Sequence, residues 1–351
     1  MRPGRIVVVA PDPGQAGGQA IQARALTDAL REDGLDVGFV ATDPPFPPRL
    51  RPVRRVPVAR TLVNQSIYLP RLRGLAGAET ALIFSASYWS FVLAPLPALV
   101  AASALGVRGV LVYHSGEADD HLARWGPWLR PCLSLAHRIV VPSEFLREVF
   151  ARHGYGASVI PNVIDTSTFR YRERLPLRPR LLSARSLERH YGVDNTIRAF
   201  NALKRRHPDA TLTIAGDGSE RARLRALAAS LGQDGVRFVG ATAPDAMPGL
   251  FDEADVFVNS SLVDNQPVSI LEAFASGTPV VSTPAGGIAG MVRDGETGTL
   301  VPPRDPAAMA AAIEGVLDHP HRSAARARLA REQVLQHTWP RVRDLWQEVA
   351  S

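Results

Sequence analysis

Asp264 and Glu272 stand eight positions apart and bracket Asn265-Gln266-Pro267. The bracketed stretch reads as a loop entering a helix over 266–275, with Pro267 pre-set for a first helical position. Amide N–H groups at such a helix start, around Asn265, Gln266, Pro267 and Val268, attract anions such as phosphate. Carboxylates accept hydrogen bonds from hydroxyls. Acid, amides and acid in that order suit a ligand built as polyhydroxyl, phosphate, polyhydroxyl, which is the layout of a nucleotide sugar. Two other readings fit the same pair. One is a helix-dipole partner followed by a solvent-facing helix residue. The other is acid/base pairing of the glycoside-hydrolysis kind. Glu272 lies among Ile270, Leu271, Ala273 and Phe274, which weighs against the solvent-facing reading, and a carboxylate buried there needs a partner.

Other segments carry weaker chemistry. Gly17 and Gly18 fall between an apolar run and a helical stretch, where glycine lets backbone approach phosphate or sugar. A tight strand-to-helix turn demands glycine as well. The segment is no G-x-x-x-x-G-K-[ST] loop, which argues against a P-loop NTPase. His114-Ser115-Gly116-Glu117-Ala118-Asp119-Asp120-His121 follows a strand. No close ligand spacing in it matches a zinc pattern; His114 suits a sugar or phosphate contact, and the segment also reads as a capping turn. Arg185 closes a strand, where a fixed cation would neutralise a diphosphate. Gly216-Asp217-Gly218 is a strand-to-helix turn whose glycines also fit a purely structural role.

Two successive α/β series must position these residues. Apolar runs at 6–10, 37–41, 81–84, 109–113, 139–141 and 158–160 read as buried parallel strands, with helices such as 19–31 and 144–152 between them. Residues 170–179 form a charged, proline-bearing linker. A second series follows, with strands at 180–183, 211–215, 236–239, 256–259, 279–282 and 298–301. Its helices include 195–205, 219–229 and 306–317. This alternation predicts two Rossmann-like domains facing across a cleft, residues 1–169 and 180–335. The helical tail breaks near Trp339 at Pro340, and 336–351 is expected to return to the first domain.

Composition narrows the class. At 351 residues with 21 % charged side chains the chain is an ordinary globular protein of two domains. Its one cysteine, Cys132, cannot form an internal disulfide and fits a reducing compartment. The uncharged run 81–107 is long enough to cross a bilayer, but Pro95, Pro97 and its alanines and serines favour a buried strand, loop and helix. The net charge of +6 concentrates in residues 41–80, where Arg49, Arg51, Arg54, Arg55, Arg60, Arg71 and Arg73 meet only Asp43 and Glu79. That patch suits anionic lipid head groups or a diphosphate acceptor, or is a solvated insertion. No nucleic-acid motif is present.

Taken together these residues resemble the retaining glycosyltransferases of the GT-B fold, the "glycosyl transferases group 1" (family 4) set. The resemblance covers nearly the whole chain and is strongest over 180–301. It rests on Pro161-Asn162-Val163-Ile164-Asp165, Arg185, Gly216-Asp217-Gly218, the acid–x7–Glu element, Gly295-Glu296-Thr297-Gly298-Thr299-Leu300-Val301-Pro302 and the His337-Thr338-Trp339 tail. It implies that Glu272 holds ribose hydroxyls, Asp264 the donor-sugar hydroxyls and Arg185 the diphosphate. Gly17, Gly18 and Gly216 would approach the phosphates, His114 the donor sugar, and Phe238 and Val239 the base.

Front-face attack with retained configuration, no metal, no cofactor and a cytoplasmic setting at or near the membrane are further implications. The acceptor would be a carbohydrate, a lipid-linked sugar or a small molecule, and the pathway a glycan, polysaccharide or glycolipid biosynthesis. The same architecture also accommodates a nucleotide-sugar epimerase or a non-catalytic nucleotide-sugar binder. Two departures stand out. The first acid is Asp264 where the family usually has Glu. Tyr191 precedes Gly192 where the family usually has lysine, leaving Arg189 or His190 as a second cation.

Overall fold

The computed structural model describes residues 4–14, 17–232 and 234–350, apart from the side chains of Arg51, Arg54 and Arg55. The described residues form two compact units, one within 1–163 and 342–351, the other within 164–341.

The first unit carries six parallel strands: β1 (Ile6–Ala10), β2 (Val37–Ala41), β3 (Thr80–Ser85), β4 (Arg108–Tyr113), β5 (Arg138–Val141) and β6 (Ser158–Val159). Their order is β2-β1-β3-β4-β5-β6. All five residues of β1 are buried, as a strand covered on both faces requires. The uncharged run 81–107 folds as β3 and the short helices Tyr88–Leu93 and Pro95–Ala104. Among the described residues no helix is long and apolar enough to cross a membrane. Pro340 sits one residue into the last helix, Trp339–Ala350, after a 3₁₀ turn at Leu335–His337. That helix belongs from Val342 to the first unit. There the Thr80 hydroxyl donates to Ala350 O (2.9 Å) and Arg343 pairs with Asp33 (3.0 Å).

The second unit repeats the plan with β7 (Arg180–Ala184), β8 (Thr211–Ala215), β9 (Val236–Gly240), β10 (Val256–Asn259), β11 (Val280–Ser282) and β12 (Thr299–Leu300), ordered β12-β11-β10-β7-β8-β9. Side chains alternate across the strands. Leu181, Ile214, Val256 and Val258 join Ile197, Phe200 and Ile313 in one apolar cluster. Leu182, Ala184 and Phe257 join Phe251, Ile270 and Phe274 in another. Helix Val268–Ser276 is buried along its whole length, beginning one residue after Pro267 rather than at it. It stops at Gly277, whose φ of 72° is a left-handed cap conformation.

Residues 170–179, expected as a linker, lie against the second unit. Asp255, fully buried, pairs with Arg172 (3.3 Å) and Arg180 (2.7 Å). Arg174 is 1 % exposed and makes no ion pair among the described residues. It donates instead to the carbonyls of Ala254, Arg172, Ser276 and Phe251 at 2.6–2.9 Å. Burial pulls its pKa down to about 10, so it stays charged at neutral pH. Replacing Arg174 by leucine would leave those four oxygens without its donors, and the urea unfolding midpoint should drop by the equivalent of roughly 2–4 kcal/mol. An unchanged midpoint would show that the cluster contributes no stability.

Candidate active site

In the second unit the chain runs β7, β8, β9 to one side of the sheet and then returns to lay β10 on the other side of β7. The carboxyl ends of β7 and β10 are therefore the switch point, where open α/β sheets form their ligand crevice. Arg185 follows β7 directly, and Ser260 to Pro267 follow β10.

Three glycines fix these loops by close approach. A Cβ on Gly216 would lie 1.9 Å from Arg185 O, and its φ of 143° also disfavours other residues. On Gly192 it would meet Ser260 O at 2.5 Å, and on Gly287 it would meet Asn265 O at 2.4 Å. Hydrogen bonds complete the frame. The amide of Arg185 donates to Ala215 O, that of Gly216 to Gly240 O and that of Leu262 to His190 O. The Ser260 hydroxyl donates to Gly192 O (2.7 Å).

The frame presents a compact charged cluster. Arg185 Nη2 lies 2.7 Å from Asp264 Oδ2, with both side chains about nine-tenths buried. The Asp264 carboxylate also accepts from Ser261 Oγ (2.9 Å) and the Asn265 amide (3.0 Å). Three of its roughly four acceptor positions are thus filled. Glu272 differs: it is 7 % exposed, and its carboxylate has no hydrogen bond or ion pair among the described residues. Burial raises its pKa to about 7, while the positive charge of Arg185 opposes the rise. Arg185 Nε and Ser269 Oγ are buried without a partner. Buried polar groups are normally bonded, so this concentration of unmet donors and acceptors marks a place for a polar ligand.

The structure brings Arg185, Asp264 and Glu272 together, with Asn265 buried beside them against Gly287. Pro267 and Val268 are buried and Gln266 half-buried. Gly216 does its visible work on the Arg185 backbone. Phe238 turns toward the core with Arg225 over its ring (5.3 Å), while Val239 is exposed on the other face of edge strand β9. The expected second cations, Arg189 and His190, lie in the 3₁₀ turn Arg189–Tyr191 ahead of Gly192. Arg189 is exposed, and the His190 ring packs on Tyr191 at 4.1 Å. It is Tyr191 that Arg185 covers, 4.0 Å from guanidinium carbon to ring centroid. Sequence reasoning missed Tyr191 and Ser269; the fixed turn signalled by Gly192 was the available clue to the first.

In the first unit His114 follows β4, stacks on Phe84 (5.2 Å between centroids) and bonds through Nε2 to Asn162 Oδ1 (2.9 Å). Since that oxygen accepts, Nε2 carries the hydrogen. Burial pushes the pKa down to about 4, and the buried Nδ1 has no partner. Gly18 opens the first helix and Gly17 caps it; a Cβ on Gly17 would meet nothing within 4 Å. The same unit holds a cavity of about 780 Å³ at the carboxyl ends of β1, β2 and β3, lined in part by Asp12, Gln19, Asp43, Arg60 and Asn64. Arg49 and Arg60 are exposed, whereas the side chains of Arg51, Arg54 and Arg55 lie outside the described residues. Among the described residues no group of three His, Cys, Asp or Glu could hold a metal ion.

The raised pKa of Glu272 has a stability consequence. Its protonated form is favoured in the folded state, so that contribution is full below the unfolded value of 4.5 and is lost as pH climbs through about 7. Glu272→Gln should therefore leave the unliganded protein's stability unchanged near pH 4.5 and raise it by about 3 kcal/mol at pH 8, read from denaturation at the two pH values. Equal effects at both would place the carboxylate in solvent.

Known proteins now supply the frame for this geometry. Residues 168–333 match the family described as Glycosyl transferases group 1, and residues 16–168 match Glycosyltransferase Family 4. The glycogen synthase of Mycobacterium tuberculosis is 34 % identical over 68 % of this chain, although the chain spans only 61 % of that protein. A GDP-mannose-dependent alpha-(1-6)-phosphatidylinositol monomannoside mannosyltransferase of Mycolicibacterium smegmatis is 32 % identical, over 64 % of this chain and 68 % of its own length. The crystal structure of Anabaena HepE in complex with UDP and glucose superposes with a TM-score of 0.73 at 19 % identity, covering 99 % of this chain and 100 % of that one, a likeness of fold. The chain belongs to the group 1, family 4 glycosyltransferases and has their GT-B fold.

Proposed function

We propose that this glycosyltransferase moves a hexose from a UDP- or GDP-sugar to an acceptor hydroxyl with retention of anomeric configuration, in glycan, polysaccharide or glycolipid synthesis. The observation that carries the donor assignment is the buried, unpartnered Glu272 carboxylate beside Arg185 at the switch point of the second sheet. Glu272 accepts the ribose hydroxyls, whose hydrogen bonds replace the water it lost on folding. Arg185 and the amides opening helix Val268–Ser276 take the diphosphate. As the sugar–phosphate bond breaks, charge builds on the leaving oxygen, and a preformed cation and amide dipoles stabilise it without reorganising. Asp264, largely saturated by protein donors, both orients Arg185 and offers its remaining lone pair to a sugar hydroxyl. The leaving phosphate oxygen takes the acceptor's proton on the attacked face, a step that asks for neither a metal nor a cofactor.

The acceptor occupies the cavity of the first unit, where carboxylates, amides and Arg60 suit a hydroxyl-rich molecule. A peripheral bilayer contact on the cytoplasmic side is supported by helix Pro57–Arg71. Val58, Leu62 and Leu69 share one of its faces and are 73 %, 67 % and 45 % exposed, with Arg60, Arg71 and the following Arg73 exposed around them. An apolar stripe edged by cations is the pattern of an interfacial helix.

At 100 times its dissociation constant the correct nucleoside diphosphate should stabilise the protein by about 2.7 kcal/mol in thermal melts, and ADP should not. Arg185→Ala should lower kcat/KM for the donor by roughly 10²–10³ while the fold persists. Wild-type rates would remove Arg185 from the site, and conversion of the donor without any acceptor would point to an epimerase. In cosedimentation with vesicles containing phosphatidylglycerol, Leu62→Asp should cut binding by about tenfold, the scale of one lost apolar side chain. Unchanged binding would discard the helix as the contact.

A further inference from the structure

In the donor reading Arg185 meets the diphosphate, and the structure shows what that cation rests on. Arg185 is held along one edge by Asp264 at 2.7 Å and from its face by the Tyr191 ring at 4.0 Å. The ring is itself fixed. It ends the 3₁₀ turn Arg189–Tyr191, packs against His190 at 4.1 Å and precedes Gly192, which Ser260 clasps through its carbonyl. Gly192 takes a left-handed φ of 59°, with its Cα against Ser260 O, so the turn cannot slide along the β10 loop.

The two restraints on Arg185 differ in kind. Asp264 occupies a donor edge and competes with any anion that arrives. A ring face attracts the guanidinium through its quadrupole and uses none of the five N–H donors. The guanidinium keeps Nε buried and unmet beside this contact, a donor still available to an oxygen ligand.

We infer that Tyr191 is the positioning residue for Arg185. It pins the guanidinium from its face so that a diphosphate can draw donor edges away from Asp264 without the side chain leaving the site. A second cation at position 191 would add charge; the tyrosine instead adds rigidity to the one that is present. The contact with Arg185 is made through the ring face, which phenylalanine would keep. This inference rests on the donor reading above, in which Arg185 meets the diphosphate.

The test compares ligands with and without the diphosphate. Binding of UDP and GDP, and of uridine and guanosine, is measured by calorimetry for the wild type, Tyr191→Phe, Tyr191→Leu and Arg185→Ala. For the diphosphate that the wild type binds, Tyr191→Leu should weaken affinity by about tenfold, on the scale of a desolvated cation–π contact. Tyr191→Phe should restore it to within about twofold. Affinity for the matching nucleoside should stay level in both, and the donor's kcat/KM should fall in the leucine variant with the acceptor's KM unmoved. Equal losses in Phe and Leu, or equal losses for nucleoside and diphosphate, would overturn the inference. So would full affinity in the leucine variant while Arg185→Ala loses it, and in that case the donor reading survives. If the wild type binds neither diphosphate, or Arg185→Ala binds as well as wild type, the donor reading itself fails.

Discussion

The contact between Gly216 and the backbone of Arg185 constrains everything at this site. Without a side chain at 216, the turn after β8 closes to within reach of Arg185 O, and Arg185 N bonds to Ala215. That fixes where the guanidinium starts its reach. Asp264 then arrives from the neighbouring strand's loop, and Tyr191 from the turn that the same loop clasps through Ser260. Each element is ordinary taken singly. Their junction puts a paired cation and an unpaired acid into one buried place.

The pairing explains an asymmetry between the two acids of the site. Asp264 sits in a loop where a hydroxyl, an amide and a guanidinium all reach it, so its charge is met on folding. Glu272 projects from a helix buried on every side, where neighbouring residues are apolar and the helix has used its own amides. The field of Arg185 offsets part of the cost of that burial. Burying an uncompensated carboxylate raises the cost of ionisation, and function is the ordinary reason such a group persists.

Much of this was legible from residue order. Strands 6–10, 37–41, 211–215 and 256–259 fall where apolar runs place them, because a parallel strand covered on both faces is mostly apolar. Arg185 and Asp264 were identifiable because they lie in loops after strand ends, and Glu272 because the acid–x7–Glu spacing of the resemblance ties it to Asp264. Other features were not readable. Tyr191 looked like a lost cation, since a cation–π contact depends on a turn conformation that single-residue patterns do not encode. The base contact that the resemblance implies for Phe238 says nothing of where its ring points, and the structure turns that ring toward Arg225 and the core. The saturation of Asp264 depended on Ser261, whose hydroxyl could have faced anywhere. Residues 170–179 read as a linker because charge and proline are the usual marks of one, and burial of Arg174 against carbonyl oxygens leaves no trace in composition.

That arginine also sets where the chain can be cut. Its four acceptors come from helix and strand termini at 251, 254 and 276 as well as from its own segment, so the approach to β7 is built into the second unit's folding. A gene fragment begun at Arg180, the first strand residue, would open a socket lined with carbonyl oxygens and leave Asp255 with half of its cations. Chimaeras that exchange the second unit between relatives should therefore be joined ahead of Ile164, where the compact unit itself begins.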